Sequence, residues 1–325
     1  MKVLITGGAG FIGSYLAEKY LELGNEVYII DDLSTGTLEN IKHLQEIQRY
    51  KERLFVTVDT ILNHETMIEL IGTCDIVIHM AAAVGVQYIL DNPLSSIITN
   101  IQGTEKVLEL CNKFKKKVLI ASTSEVYGKH THAPLIETDN IIYGPPTKFR
   151  WSYAAAKLMD EFTALAYCRT KKLPTIIVRL FNTVGPRQTG RYGMVIPRFV
   201  QQAMRNEPIT VYGDGDQTRT FTYVGDVVEA IVKLMECKQA VGEVLNIGGT
   251  EEVSIKHLAE KIKELAFSKS KIKFISYDEV YTKDFEDMQR RVPSIEKIKH
   301  LTGWKPTSSL EHIIKSVIEY SRANK

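Results

Sequence analysis

Tyr153 and Lys157 stand four residues apart in "SYAAAKLMDEF", a stretch of helical pattern, so both side chains fall on one helix face. An ammonium ion beside a phenol favours the phenolate, and a bound oxidised nicotinamide adds more positive charge, so such a phenol can accept a proton close to neutral pH. A proton acceptor of this kind next to a hydride acceptor oxidises a secondary alcohol. Upstream, "ASTSEVYGK" (121–129) leads an apolar run into Thr123, Ser124 and Glu125, then Tyr127 and Gly128. Near the N-terminus, "ITGGAGFIGSYL" spaces Gly7, Gly10 and Gly13 around Phe11 and Ile12, between a strand pattern and a helix pattern. Glycines so placed let the chain turn tightly, approach a pyrophosphate and pack the helix on the sheet, while the helix N-terminus offers amide donors. The second strand ends in Asp31, at the separation at which a carboxylate accepts hydrogen bonds from adenosine ribose hydroxyls. Asp31 and Asp32 would together repel a 2′-phosphate, which selects NAD over NADP.

The elements that must hold these residues follow from periodicity. The apolar runs "KVLIT", "EVYIID", "LFVTV", "DIVIHM", "KVLIAS" and "TIIVRLF" have strand length and alternate with helical stretches such as "FIGSYLAEKYLELG". Continuous apolar strands separated by helices predict a parallel sheet covered on both faces, an α/β fold of the Rossmann-type, doubly wound kind. "VGDVVEAIVKLMEC" and "EVLNIGG" read as one more helix and strand of that sheet. From 254 onward two helices and a short strand, "KIKFISY", are expected. The division that results is an NAD-binding domain of residues 1–178 plus 225–253 and a smaller, discontinuous substrate-binding lobe of 179–224 plus 254–325, with a ligand cleft between them.

Composition excludes several classes. With 41 Lys+Arg against 39 Asp+Glu, the net charge of +2 points to no nucleic-acid partner, and "KFKKK" (113–117) reads as a solvated helix end. Cys74, Cys111, Cys168 and Cys237 are widely spaced without a CxxC, so no metal site or disulfide framework is expected and a reducing cytoplasm fits best. No apolar stretch reaches bilayer length, and "MKVLIT" breaks into glycines instead of continuing as a signal sequence, so no membrane partner is expected.

The order of glycine motif, Thr123-Ser124-Glu125-Val126-Tyr127-Gly128 and Tyr153-x-x-x-Lys157 resembles the extended short-chain dehydrogenase/reductases that modify nucleotide-sugars, over nearly the whole chain. The resemblance implies that Thr123 hydrogen-bonds a sugar 4-hydroxyl beside the Tyr153 base and that "HMAAAVGV", with Ala81 and Ala82, runs along the cofactor. It further implies that Asp59 contacts adenine, and that Ser124, Asn182, Arg187, Arg191, Tyr212, Arg219 and Arg291 meet the nucleotide-sugar. Members share oxidation at C4 to a 4-keto sugar and differ in the use of the ketone. Where many 4-epimerases have a small or uncharged side chain, this sequence has Glu125. A buried carboxylate is costly unless it acts on something, which favours chemistry at C5 or C6. Ser124 stands where dehydratases acting on dTDP-glucose have an acid, although GDP-mannose 4,6-dehydratases also show Thr-Ser-Glu.

"LFNTVGPR", "NEPITVYGDGDQTRTFTYVGDVV" and "MQRRVPSIEKIKHLTGWKP" look most like UDP-glucuronate decarboxylases, in which the position of Arg291 lies at the active site. Arg150 and Trp151 resemble residues of the decarboxylase acting in lipid A modification. A UDP-glucuronate decarboxylase giving UDP-xylose is therefore expected, with Thr123, Glu125, Tyr153, Lys157 and Arg291 catalytic. The alternatives are a UDP-sugar 4-epimerase, an NDP-sugar 4,6-dehydratase and a non-catalytic NAD-sensing module. Apolar positions Leu94, Ile97, Ile98, Ile101, Val107, Leu108 and Leu110, with Leu158, Met159, Phe162, Leu165 and Ala166 on the Tyr153 helix, exceed what one sheet face can cover. A homodimer through a four-helix bundle, common in the resembled family, is expected.

Overall fold

Each of the six apolar runs forms a strand, because residues buried on both faces of a central sheet need no polar alternation. The computed structural model describes residues 1–190, 194–280 and 288–324. The strands are β1 (Lys2–Thr6), β2 (Glu26–Asp31), β3 (Leu54–Val58), β4 (Ile76–His79), β5 (Lys117–Thr123) and β6 (Thr175–Leu180), and a further strand, Val244–Ile247, borders β6. All pair in parallel, in the order Val244–Ile247, β6, β5, β4, β1, β2, β3. Strand order reverses between β1 and β4. A crevice therefore opens beyond their carboxyl ends, where Gly7 follows β1 and Ala81 lies just past β4.

Helix Phe11–Glu22 starts directly after Gly10, whose extended backbone supplies no side-chain cap. Its first-turn amides are thus left for the crevice. Helices Pro93–Phe114 and Ser152–Lys171 cover one sheet face with Val107, Leu108, Cys111 and Ala164 fully buried there. The other face is covered by Phe11–Glu22 and Val224–Glu236.

A second cluster of buried side chains gathers Val184, Ile196, Phe199, Val211, Leu258, Ile313 and Val317 from both expected pieces of the smaller lobe. There, Ile272–Ile275 pairs in parallel with Ile209–Tyr212. Two expectations change. Past residue 254 the described chain holds helices Ile255–Leu265, Glu296–Thr302 and Leu310–Ala323 and the short Tyr277–Val280, more than the two read from periodicity. In addition, Ile295, Ile298 and Trp304 pack into the sheet-side core. The Trp304 indole donates to the Asp226 carbonyl at 2.9 Å, and the Asp226 carboxylate accepts from the Thr307 hydroxyl at 2.8 Å and the Ser308 amide at 3.0 Å. These bonds hold residues 295–308 against helix Val224–Glu236. The sequence reading assigns them wholly to the lobe, because a helix of only seven residues, Glu296–Thr302, carries no address for the face it packs on.

Candidate active site

One cleft of about 560 Å³ runs from the glycine turn across the ends of the strands to the smaller lobe, lined by residues from both. At its cofactor end Gly7 has φ +68°, and a Cβ there would sit 2.8 Å from the Ala81 amide nitrogen. A Cβ on Gly13 would lie 2.1 Å from the Gly7 carbonyl oxygen. The turn therefore has room for glycine alone, and Gly10, Phe11 and Ile12 line the cleft beside it. Asp31 is buried; its carboxylate accepts from the amides of Ala9 at 3.0 Å and Leu33 at 2.9 Å. Burial raises its pKa against those two bonds. Asp32, also on the cleft wall, takes the amide and hydroxyl of Ser34. The Asp59 carboxylate accepts from Thr66, the Thr60 amide and Asn63, bonds that hold its pKa below the usual range. With Ala81 and Ala82 from the loop after β4, these residues complete a groove of amides, carboxylates and small side chains. That donor set fits an NAD adenosine and pyrophosphate.

The reacting centre lies where β5 ends. The Thr123 hydroxyl accepts the Glu125 amide at 3.2 Å and so opens a short 3-10 turn, Ser124–Tyr127, that aims Thr123, Ser124 and Glu125 into the cleft. Gly128 ends the turn at φ +70°, with the Ile142 carbonyl only 2.0 Å from where a Cβ would stand. Tyr127 points away and donates to Asn246 at 2.8 Å in the core. Tyr153 reaches the cleft from the first turn of helix Ser152–Lys171 and is 8% exposed. Burial, then the charges of Glu125 and Asp160, raise its pKa against the pull of Arg150.

Glu125 stands within the field of three arginines. Arg150, from the turn Phe149–Trp151, pairs with one carboxylate oxygen, and Arg291 Nη1 lies 3.7 Å from the other. Burial pushes the carboxyl pKa up, but Arg150, Arg291 and Arg219 outweigh it and hold Glu125 below the usual carboxylate range. Arg291 also donates to Ser124 Oγ at 3.2 Å. It sits on a two-residue strand, Arg290–Arg291, paired in parallel with Thr218–Thr220, so Arg291 and Arg219 are cross-strand neighbours. Alternation along the strand separates the arginine pair. Arg290 turns outward to the Glu252 carboxylate, with two contacts at 2.7 Å, while Arg291 faces the cleft. Asn182 and Tyr212 line the far end, where the Arg198 guanidinium stacks 3.9 Å above the Tyr212 ring.

Two residues lie elsewhere than expected. Lys157 does not line the cleft; its ammonium meets Asp160 Oδ2 at 2.8 Å, with both side chains 2% exposed. Arg187 is drawn away from the substrate end altogether. It pairs with Glu18 at 2.6 Å, bonds Ser14 Oγ at 3.4 Å and stacks 4.1 Å above Tyr15, all on helix Phe11–Glu22. The Glu18 carboxylate and the Tyr15 ring together satisfy this half-buried guanidinium on the first helix. Arg191 lies outside the described residues. Asp160, Arg198, Gln217 and Tyr277 escaped the sequence reading, since none belongs to a spaced motif. Arg150 was legible there only by resemblance.

The family model described as GDP-mannose 4,6 dehydratase matches residues 4–317. The UDP-N-acetyl-alpha-D-glucosaminuronate decarboxylase of Bacillus cytotoxicus is 41% identical over 99% of this chain and 98% of its own. UDP-glucuronic acid decarboxylase 1 of Xenopus tropicalis is 35% identical over 99% of this chain and 72% of its own. Among solved structures, the UDP-glucuronic acid 4-epimerase of Bacillus cereus, in complex with UDP-glucuronic acid and NAD, superposes with a TM-score of 0.89 at 30% identity, covering 100% of both chains.

Proposed function

Since the chain belongs to the extended short-chain dehydrogenase/reductases of the GDP-mannose 4,6 dehydratase type, we propose that it is an NAD-dependent decarboxylase of UDP-hexuronates. The bound NAD supplies the hydride acceptor. Tyr153 takes the proton of the sugar 4-hydroxyl, which Thr123 orients, and a 4-keto hexuronate results. A carboxyl group β to a ketone loses carbon dioxide readily, because the electrons left at C5 delocalise into the carbonyl. A proton from solvent at C5, and the hydride that bound NADH would return to C4, would complete the conversion to the pentose. The observation that carries this reading is the cluster of buried Arg150 with half-buried Arg291 and Glu125 on the cleft wall that Tyr153 shares. Arg150 and Arg291 present planar, bidentate donors at this end of the cleft, chemistry suited to a carboxylate such as that at C6 of a hexuronate. Arg219 and Asn182, farther along, suit the diphosphate.

Incubation with NAD+ and either UDP-glucuronate or UDP-N-acetylglucosaminuronate, followed by mass spectrometry, tests the proposal. A product lighter by carbon dioxide from either sugar supports it, and the relative rates assign the group at C2; unchanged mass from both refutes it. The second reading is a 4-epimerase, favoured by the fold shared with the Bacillus cereus enzyme; its product keeps the mass of the substrate.

Exposed Leu94, Met159 and Phe162 on helices Pro93–Phe114 and Ser152–Lys171 support a homodimer through a four-helix bundle. Four free cysteines suit a reducing cytoplasm, and among the described residues no helix is long and apolar enough to cross a membrane.

A further inference from the structure

A chain of buried polar groups beneath the cleft ends on the catalytic helix, and the reaction proposed above does not use it. The Ala81 amide donates to Thr6 Oγ1 at 3.1 Å, and Thr6 Oγ1 meets His79 Nδ1 at 2.7 Å. On the other side of the ring, His79 Nε2 meets Thr104 Oγ1 at 3.1 Å, and Thr104 hydrogen-bonds Asp160. Asp160 is an anion partner of Lys157, so the Thr104 hydroxyl must donate to it. Thr104 then accepts from His79 Nε2–H, which leaves Nδ1 free to accept from the Thr6 hydroxyl. Every donor therefore points one way, from the cofactor loop to Asp160, and each polar atom in the chain is satisfied. Burial of His79, reinforced by the Lys157 charge, depresses its pKa to about 3, which keeps the ring neutral as this direction requires.

We propose that Asp160 is a positioning residue for the Tyr153–Lys157 pair: it pins the Lys157 ammonium in a charge-neutral pair beneath the cleft and so governs how strongly that charge acts on the phenol. Lys157 and Asp160 are neighbours at i,i+3, both 2% exposed, and Thr104 fixes the carboxylate from helix Pro93–Phe114. The charges that face Tyr153 come from three places. Glu125 on the turn Ser124–Tyr127 and Asp160 on its own helix hold the proton on, and Arg150 on the turn Phe149–Trp151 draws it off. The Lys157–Asp160 pair itself faces His79 from β4 and Thr104, and beside it lies Glu161, which is occupied by Arg179 of β6 and Ser122 of β5. With its charge matched by Asp160, Lys157 adds little to the pull on the phenol.

This inference rests on Tyr153 as proton acceptor and on no particular sugar, so it is tested on the cofactor-free protein. Phenolate absorbance is titrated in wild type, Asp160→Asn and Asp160→Glu, each corrected by subtracting the same protein carrying Tyr153→Phe. In Asp160→Asn the phenol should ionise at least about one pH unit lower, a tenfold gain in phenolate at a given pH. Asp160→Glu, which restores the charge, should return toward wild type. The acid limb of the pH profile for single-turnover NADH formation should move in the same direction. An unmoved or alkaline-shifted titration overturns the proposal, as does a rate that falls equally at every pH, the mark of a merely structural role. If Asp160→Asn does not fold, Asp160→Ala must show the same acid shift. A wrong sugar assignment leaves the phenol titration unaffected.

Discussion

Changing Glu125 to Gln preserves size and hydrogen-bonding capacity while removing the anion that Arg150 and Arg291 share. At the 3.7 Å separation of Arg291 and Glu125, opposite unit charges attract by about 4 kcal/mol at an effective dielectric of about 20, before desolvation is counted. In wild type that attraction competes with the attraction of Arg291 for a substrate carboxylate. In Glu125→Gln the competing carboxylate charge is gone, so UDP-hexuronate should bind as tightly as in wild type or up to about tenfold more tightly, one pKa unit's worth of interaction. Glu125 also helps hold the proton on Tyr153, so its neutralisation should not slow the first oxidation. Carbon dioxide release or C5 protonation should slow by about 100-fold or more, the scale for losing a charged group acting in a proton-transfer or charge-developing step. Single-turnover mixing, with NADH absorbance and released carbon dioxide followed separately, reads both steps, and calorimetry reads the binding. Equal slowing of the two steps, or weaker binding of the hexuronate, would refute the expectation that Glu125 acts on the chemistry at C5 or C6.

The remaining predictions are simpler. Arg187→Ala should change the KM for the nucleotide-sugar by less than about twofold and cost roughly 1 to 3 kcal/mol of stability, because Arg187 pairs with Glu18 and packs on Tyr15 away from the cleft; steady-state kinetics and urea unfolding check both, and a tenfold rise in KM would return it to the substrate site. His79 is held neutral with a pKa of about 3, against about 6.5 unfolded. Below about pH 6.5 the unfolded chain binds the extra proton, so folding stability should fall with acidification by about 1 kcal/mol per pH unit more steeply than in His79→Gln; parallel urea midpoints across that range would exclude it. Phe162→Glu, at a side chain 60% exposed, should convert the expected dimer to monomer in analytical ultracentrifugation with little change in thermal midpoint. A wild type already monomeric at micromolar concentration would defeat that prediction.

The sheet was legible in the sequence because the burial of a central parallel strand is written into consecutive residues. Runs such as "KVLIT" and "TIIVRLF" correspond to β1 and β6 almost residue for residue. The glycine turn was equally legible, since Gly7 and Gly13 answer to backbone contacts within a short stretch of chain and one strand beside it. The helical spacing of Tyr153 and Lys157 was a local fact too, but spacing does not say where a lysine ends. Asp160, three residues on, is as near to Lys157 as Tyr153 is, and only the packing of Thr104 against the helix shows which one holds the ammonium.

Long-range charge placement was likewise decided by tertiary structure. Arg187 and Arg291 are both arginines in loop-like sequence, and nothing local separates them. One is captured by Glu18 on the first helix, while the other is turned into the cleft by strand alternation beside Arg219. A charge is satisfied by whichever opposite charge the fold brings within a few ångströms, and that distance is set by chain segments more than a hundred residues apart. Sequence determines which residues can form the strands, the turn and the helix face. Which charges meet in the cleft is known only once those elements have packed.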